Sequence, residues 1–236
     1  MTLLAIDTSE SACSVALLAA DRVIDSRSEI IGRGHAERLL PLIEETLSAA
    51  GLVYDDLSRI AVTTGPGTFT GLRIGLAVAR GLALEGDLPC IGLTGLHVLA
   101  AQAQQQDQTS GRAAHAVIAG RGGQAFYQCF SGTDGDGIPV AVAPAAGLDI
   151  EDIAAAILSR GGMVIGSGVD LLRADDFIGG GKAAAAVELI NVPCIDPVTL
   201  GQLGQAVKPA SYPPEPTYFR AADAKKATPI LPVAAG

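Results

Sequence analysis

The segment 65–83, which reads GPGTFTGLRIGLAVARGLA, constrains the fold more than any other part of the chain. It follows the apolar run 60–62, and its pattern predicts a strand, a glycine-rich turn and a helix. Such a turn can bind a phosphate group, because its backbone N–H groups and the helix N-terminus point towards an anion. The helix is apolar or small on every side, with charge only at Arg73 and Arg80. It must therefore be covered nearly all round, by its own core or by another protein.

The sequence of the glycine-rich turn does not match a P-loop. It lacks the Gly-Lys-Ser/Thr ending of that motif, in which the lysine and the hydroxyl hold a nucleotide phosphate. The helix instead carries Gly71, Gly75 and Ala79 at every fourth position, so that a second helix could approach to about 8 Å. The segment 35–50, which has a helical apolar period, is the expected neighbour. Close packing inside the same domain is the alternative explanation of the small residues.

Composition indicates a globular chain that does not hold nucleic acid by itself. Of its 236 residues, 49% are hydrophobic and 17% are charged, which allows one large domain or two lobes. The formal net charge of -9 would repel a phosphate backbone, and few aromatic residues are present for base stacking. The cysteines are widely spaced, with no Cys-x-x-Cys pair, which indicates small buried side chains in a reducing compartment. They are Cys13, Cys90, Cys129 and Cys194.

The sequence predicts neither a signal peptide nor a membrane-spanning segment. Its first residues, MTLLAIDTSE, lack a basic region, and Asp7 interrupts the apolar run, so no signal peptide is expected. No stretch approaches the roughly 20 apolar residues of a membrane span. We therefore expect a cytoplasmic protein without a membrane partner.

Two similar groups of short strands indicate an internal duplication. We predict an α/β chain with an N-terminal lobe at 1–103, a C-terminal lobe at 104–207 and a proline-rich tail at 208–236 that runs over the surface. In chain order, the predicted elements are strands at 3–7, 13–19 and 23–29, a helix at 35–50, a strand at 60–64, a helix at 70–84, a strand at 90–93, a helix at 94–104, strands at 116–119, 124–130 and 138–142, a helix capped by Asp149, a strand at 164–165 and a helix from 196 to 207.

The turn between the first two strands is a candidate phosphate-binding loop. Asp7, Thr8 and Ser9 could offer hydroxyls and amides to a phosphate, with Asp7 near a magnesium ion. A turn that satisfies its own backbone is the alternative. The corresponding place in the second strand group reads Ala119-Gly120-Arg121. Because no carboxylate stands there, a clamp drawn from both lobes is disfavoured, and the loop is interpreted as vestigial.

The histidines do not predict a metal site. His35 opens a helix, but the position one turn later is Leu39, so no His-x-x-x-His pair forms. His97 and His115 have no evident partners, and we interpret all three as helix-cap or surface residues. The stretch SGTDGDG lacks the spacing and the final Glu of a calcium loop and predicts a hairpin turn.

Several stretches resemble the TsaB (YeaZ) family, the dimerisation subunit of the bacterial tRNA threonylcarbamoyladenosine machinery. They are AIDTS, GHAERLLPLI, TTGPGTFTGLRIGLAVARGLA, VIGSGVDLL and PTYFRAADA, and together they cover most of the chain. The resemblance implies a two-lobed actin-like ATPase fold (ASKHA, RNase H-like) with a duplicated β-meander plus helices. It also implies a degenerate relative of the catalytic subunit TsaD. In the family, this subunit pairs with TsaD, and the ATPase TsaE joins them.

The resemblance places the expected partner interface on helices 35–50 and 70–84. The expected interface residues are His35, Leu39, Leu42, Ile43, Thr46, Gly71, Leu72, Ile74, Gly75, Val78, Ala79 and Leu82. Leu39, where the catalytic relative carries the second histidine of a metal pair, agrees with a non-catalytic copy. Ala119-Gly120-Arg121 departs from the Asp-Ala-Arg-like triplet usual in the family, which puts in doubt any contact made by that Asp.

The resemblance therefore implies a non-catalytic scaffold, without catalytic or metal residues of its own, that supports threonylcarbamoyl transfer to the adenosine beside the anticodon. We expect a homodimer when the chain is alone, and contact with tRNA only through the complex. We expect no cofactor on the chain alone, and ATP or ADP only at the interface of the complex. An actin-like ATPase or carbamoyl-type transferase using Asp7 is the main alternative, and a metalloprotease-like hydrolase is a weaker one. Gly75→Arg is predicted to leave the fold intact and abolish pairing.

Overall fold

The computed structural model describes residues 1–20, 22–107, 111–120, 122–174, 177–178 and 184–218. Its first sheet confirms the predicted meander and the two following strands. The strands are β1 (Thr2–Asp7), β2 (Ala12–Ala19), β3 (Arg22–Ile30), β4 (Arg59–Thr63) and β5 (Cys90–Leu93). They lie in the order β3-β2-β1-β4-β5, with β1 to β3 antiparallel and β4 and β5 parallel to β1.

The second sheet repeats this arrangement. Its strands are β6 (Ala114–Ala119), β7 (Gln124–Thr133), β8 (Pro139–Ala141), β9 (Ala146–Asp149), β10 (Gly162–Ile165) and β11 (Val187–Ile190). The order is β11-β10-β6-β7-β8, with β9 also paired to β7. Antiparallel β6 and β7 correspond to β1 and β2, and parallel β10 and β11 correspond to β4 and β5. The duplication and the two-lobed actin-like fold are therefore confirmed, although β9 and β11 were not predicted.

Five helices form within a few residues of their expected bounds, namely α1 (His35–Ala49), α2 (Phe69–Glu85), α3 (Gly95–Gln106), α4 (Ile150–Arg160) and α6 (Pro197–Ala206). The short helix α5 (Val169–Ala174) was not predicted. Asp196 caps α6 as expected, because its carboxylate accepts from the N–H groups of Val198 and Thr199. Asp149 occupies the N-cap position of α4 as predicted, but its side chain makes no capping hydrogen bond, and its carboxylate accepts from the Gln124 side chain. In the part of the chain described, no helix is long and apolar enough to cross a membrane.

Helices α1 and α2 lie together on one face of the first sheet. Leu39 and Ile43 of α1 and Leu76 of α2 belong to one buried cluster with Ile6 and Val62 of the strands. The expectation that α1 and α2 are neighbours is thus confirmed. On the second sheet, α4 and α5 take the corresponding place, with Ile153 and Leu172 packed around Val164.

The last helix of each lobe packs against the sheet of the other lobe. Helix α3 follows the first sheet in sequence, yet it contacts β6 and β10 of the second. Helix α6 contacts β1 and β2, because Gly201 lies directly on Leu18 and Gly204 lies on Ala61. Arg59 ties the end of α6 to β4 by donating to Gly204 O at 2.9 Å. Residues 197–206 therefore cover the first sheet, whereas the sequence division assigns them to the second lobe.

The first part of the predicted tail also packs against the first lobe. The Gly92 N–H donates to Tyr212 O at 2.9 Å, and the Thr217 N–H donates to Thr64 O at 2.8 Å. The tail is irregular, as predicted, but these bonds hold it beside β4 and β5. The rest of the tail, 219–236, lies outside the described residues.

Candidate functional site

The candidate phosphate loop is closed by its own hydrogen bonds. Asp7 ends β1 and is fully buried, and its Oδ1 accepts from Ser9 N–H at 3.1 Å, Ser9 Oγ at 2.6 Å and Thr63 Oγ1 at 2.6 Å. Thr8 Oγ1 donates to Gly71 O at 2.8 Å. The hydroxyls expected to face a phosphate therefore bond within the protein.

The glycine-rich turn lies directly on this hairpin. The Thr68 N–H donates to Ser9 O at 2.7 Å. A Cβ on Gly67 would overlap the Ser9 backbone, and one on Gly71 would overlap the carbonyl oxygen of Thr8. A Cβ on Gly75 would lie 2.5 Å from Thr8 Oγ1. The glycines thus allow the turn and α2 to approach the hairpin closely.

The hairpin does not fit a magnesium–phosphate group as it stands. Burial raises the pKa of Asp7 above its ordinary value, and the bonds from Ser9 and Thr63 oppose that shift only in part. Asp7 Oδ2 is buried and has no hydrogen-bond partner among the described residues. Because Oδ1 accepts from Ser9 and Thr63 and Oδ2 is enclosed, neither oxygen of the carboxyl group is open to a cation from solvent. In the second lobe, Ala119 and Gly120 offer no carboxylate, while Arg121 lies outside the described residues.

One hydrogen bond joins the hairpin to the other lobe. Ser167, which follows β10, donates from Oγ to Glu10 Oε1 at 2.5 Å and accepts from the Ala119 N–H at 3.1 Å. Burial raises the pKa of Glu10 to about 7, with the Ser167 bond opposing it and the Asp7 charge adding to it. The Glu10 carboxylate therefore lies where the lobes meet, a place unfavourable to a further anion.

The structure corrects the interpretation of His115, whereas His35 and His97 lie in the first turns of α1 and α3, in agreement with a position at a helix start. His35 and His115 are buried, and His97 is half-buried. His115 Nδ1 pairs with Tyr127 Oη at 2.8 Å and Nε2 with Gly161 O at 3.0 Å, so it is a core residue rather than a surface one. Burial lowers the pKa of His115. No group of three or more metal-ligating side chains occurs among the described residues.

The cysteines agree in part with their predicted role. All four are free thiols. Cys13 and Cys129 are buried as expected, whereas Cys90 and Cys194 are half-buried. Burial raises the pKa of Cys90 to about 11, which keeps it a thiol at neutral pH.

Most of the expected interface residues face the core. Those that are buried within the chain are His35, Leu39, Leu42, Ile43, Thr46, Gly71, Leu72, Gly75 and Ala79. Their side chains pack on the sheet or on the hairpin, so a partner that covers α1 and α2 would meet different atoms. Ile74, Val78 and Leu82 are half-buried, so their side chains can contact both the core of this chain and a partner. Since Gly75 packs on Thr8, the prediction that Gly75→Arg preserves the fold also needs correction.

Helix α2 instead exposes a second stripe of small residues. Thr70, Ala77 and Gly81 are exposed, and with Ile74 they follow a helical spacing along one side. A Cβ on Gly81 would meet no atom within 4 Å. Leu84, which is 85% exposed, adjoins them. We call Thr70, Ile74, Ala77, Gly81 and Leu84 the open helical face.

Aromatic and charged side chains border the open helical face. Phe69, at the start of α2, is 54% exposed, and its ring centroid lies 6.0 Å from that of Tyr218. The Arg73 guanidinium lies 3.6 Å from the Phe69 ring centroid. On the neighbouring helix α1, Glu37 and Glu44 are exposed. The exposed side chains at the start of α2 are therefore basic and aromatic, and these two exposed side chains of α1 are acidic.

Comparison with known proteins agrees with this architecture. The family model described as "TsaD: tRNA N6-adenosine threonylcarbamoyltransferase" matches residues 22–157. The Escherichia coli "tRNA threonylcarbamoyladenosine biosynthesis protein TsaB" is 43% identical over 100 residues, which is 42% of this chain and 43% of that protein. The structure titled "YeaZ from Pseudomonas aeruginosa" superposes with a TM-score of 0.73 at 28% identity, covering 92% of this chain and 99% of that one. The chain belongs to the TsaB (YeaZ) family.

The extent of these matches differs between sequence and structure. The aligned segment spans 43% of the Escherichia coli TsaB and 47% of the Bacillus subtilis TsaB, so it covers less than half of the curated relatives. A structure of component A of the Acidaminococcus fermentans (R)-2-hydroxyglutaryl-CoA dehydratase superposes with a TM-score of 0.53 at 9% identity. That likeness shows the fold alone, and it is consistent with the actin-like architecture of the TsaB family member described here.

Proposed function

We propose that this chain is a non-catalytic subunit of the threonylcarbamoyladenosine tRNA-modification machinery. It would bind and support a TsaD catalytic subunit during threonylcarbamoyl transfer to the adenosine beside the anticodon. The observation that carries this proposal is the contrast between a closed hairpin and an open helical face. TsaE would join through the larger complex, and tRNA would be reached through the partners.

The hairpin supports the non-catalytic part of the proposal. Asp7, Thr8 and Ser9 bond within the protein, and the Glu10 carboxylate lies between the lobes. A nucleotide phosphate would have to displace those bonds and approach a buried carboxyl group, which is costly. ATP or ADP would then lie in the partner or at the interface of the complex.

The open helical face supports the partner-binding part. Small residues such as Ala77 and Gly81 let another helix lie close to α2, and the half-buried Ile74 supplies apolar contact. Two-fold symmetry could bring the exposed acidic residues of α1 in one copy towards the basic residues of α2 in the other. The same face would therefore form a homodimer when the chain is alone.

Gly81→Arg tests the surface directly. The long charged side chain would stand in the middle of the open helical face without touching the fold, because the space around a Gly81 Cβ is empty. We expect unchanged circular dichroism and a loss of at least tenfold in affinity for TsaD of the same organism, measured by analytical size exclusion and biolayer interferometry.

Two variants control this experiment. Ala155→Arg, on the exposed side of α4, should bind TsaD like the wild type. Gly75→Arg should fail to fold, because its side chain would enter the hairpin. If folded Gly81→Arg bound TsaD as well as Ala155→Arg does, the open helical face would not be the interface.

Calorimetry of the isolated chain with magnesium and ATP tests the non-catalytic assignment. We expect no heat of binding at micromolar nucleotide, since the hairpin is closed. Tight, magnesium-dependent binding that Asp7→Asn abolishes would favour the actin-like ATPase or transferase alternative.

A further inference from the structure

A pocket lies at the C-terminal end of α2, next to the open helical face. Its volume is about 210 Å³. It is lined by Tyr54, Asp55, Leu57, Leu82, Glu85, Gly86 and Leu88. The pocket forms where the short turn 54–57 passes the last turn of α2, so one of its walls belongs to the proposed partner-binding helix.

The floor of the pocket is apolar. Leu57 is 5% exposed, and Leu82 and Leu88 pack against the cluster beneath α1 and α2. Burial raises the pKa of Tyr54, with a further rise from the Glu44 charge. A ligand entering the pocket would therefore contact leucine side chains and an uncharged phenol ring.

Two carboxylates stand at the rim. Asp55 and Glu85 are both exposed, and neither forms an ion pair or hydrogen bond within the described part of the chain. By contrast, Glu29 and Glu45 both pair with Arg38 on the far side of α1. The pocket therefore combines an apolar floor with negative charge that no described side chain neutralises.

This combination fits a long basic side chain. The methylene stem of an arginine or lysine can lie on leucines while its cationic head bonds carboxylates at the rim. A phosphate-bearing ligand is disfavoured by the same charges. Leu82 and Glu85 belong to α2, so a protein that covers the open helical face comes within reach of the pocket.

We propose that this acidic pocket receives a basic side chain of the TsaD subunit and sets the register of the two proteins. The inference rests on the proposed function, since it assigns the partner to that face. It adds an acidic anchor at the C-terminal end of α2, opposite Arg73 at the start of the helix, and complementary charges of this kind fix orientation and accelerate association.

Neutralising the rim tests the proposal. In the double variant Asp55→Asn/Glu85→Gln the side chains keep their size and lose their charge. We expect its affinity for TsaD to fall about five- to tenfold at 50 mM NaCl, with a much smaller difference at 300 mM, because exposed charge pairs are screened. The matched control is Glu151→Gln/Asp152→Asn on α4, which removes the same charge far from the pocket.

The possible outcomes distinguish a failure of the pocket proposal from a failure of the proposed function. If the two double variants bound TsaD with equal affinity and equal salt dependence, the pocket proposal would be wrong. Binding of TsaD by the wild type would still support the proposed function. Absence of wild-type binding to TsaD would overturn the proposed function as well. If the rim variant weakened only self-association, the basic side chain would come from a second copy, and the assignment to TsaD would be wrong.

Discussion

The two sides of α2 carry similar residues and have opposite environments. Gly71 and Gly75 lie against the β1–β2 hairpin and cannot accept a Cβ without displacing Thr8. Ala77 and Gly81 face outward, and Gly81 has empty space around it. Small residues on the inner side bring the helix close to its own hairpin, while those on the outer side leave room for another molecule. A stripe of small residues therefore indicates a close approach without saying which molecule approaches.

The largest expected effect is on the inner side. Gly71→Ala would press a methyl group into the carbonyl oxygen of Thr8, and backbone at that position cannot move aside easily. We expect a loss of about 3 kcal/mol in the free energy of unfolding, even after the gain in helix propensity. Urea denaturation at pH 7 measures it. A loss below about 0.5 kcal/mol would mean that α2 and the hairpin are not in close contact.

The next effect concerns the charge beside the hairpin. Burial raises the pKa of Glu10 from its ordinary value of 4.5 to about 7. The folded state therefore holds a proton that the unfolded state has released, and stability falls as pH rises between those values. Glu10→Gln keeps an acceptor for Ser167 and removes the charge. We expect it to stabilise the protein by about 2 kcal/mol at pH 8 and by little at pH 4.5.

Thermal and urea unfolding across pH 4.5–8 would measure this difference. Glu37→Gln, an exposed residue on α1, is the control and should leave the pH profile of the wild type unchanged. If the free energy of unfolding of Glu10→Gln changed with pH in parallel with that of the wild type, Glu10 would not be the titrating group.

The smallest effect is on the outer side. Gly81→Ala fills empty space and restricts the unfolded chain, so we expect a gain of about 0.7 kcal/mol in the free energy of unfolding. Because alanine is still small, TsaD binding should be nearly unchanged. A loss of stability would mean that Gly81 packs against the rest of the chain. The two sides of α2, at Gly71 and at Gly81, would then not differ in their environment.

Local patterns predicted much of this structure. Alternating apolar residues and turns gave the strands of the first lobe and the bounds of α1 and α2. Strands β9 and β11 were missed because neither contains a fully buried residue or a continuous apolar run, in contrast to the equally short β5 and β10. The polar residues Thr70, Arg73 and Arg80 lie on the same side of α2 as Ala77 and Gly81, and that signal would have oriented the helix correctly.

Contacts between distant residues could not be read from the sequence. Thr8 and Gly71 are 63 residues apart, and Glu10 and Ser167 are 157 apart. No periodicity links such positions, so the closure of the hairpin and the bond between the lobes emerged only from the fold. The acidic pocket likewise combines Asp55 with Glu85, which lie on separate elements.

The exchange of α3 and α6 has a consequence for how the molecule unfolds. Each sheet is covered by a helix that the other half of the chain supplies, so neither half alone can bury Leu18 or Ile118. The boundary between the lobes is therefore a change in topology rather than a division between independently stable domains. The chain should lose both sheets in one cooperative transition, and the relative position of the lobes is fixed by the same contacts that keep each of them folded.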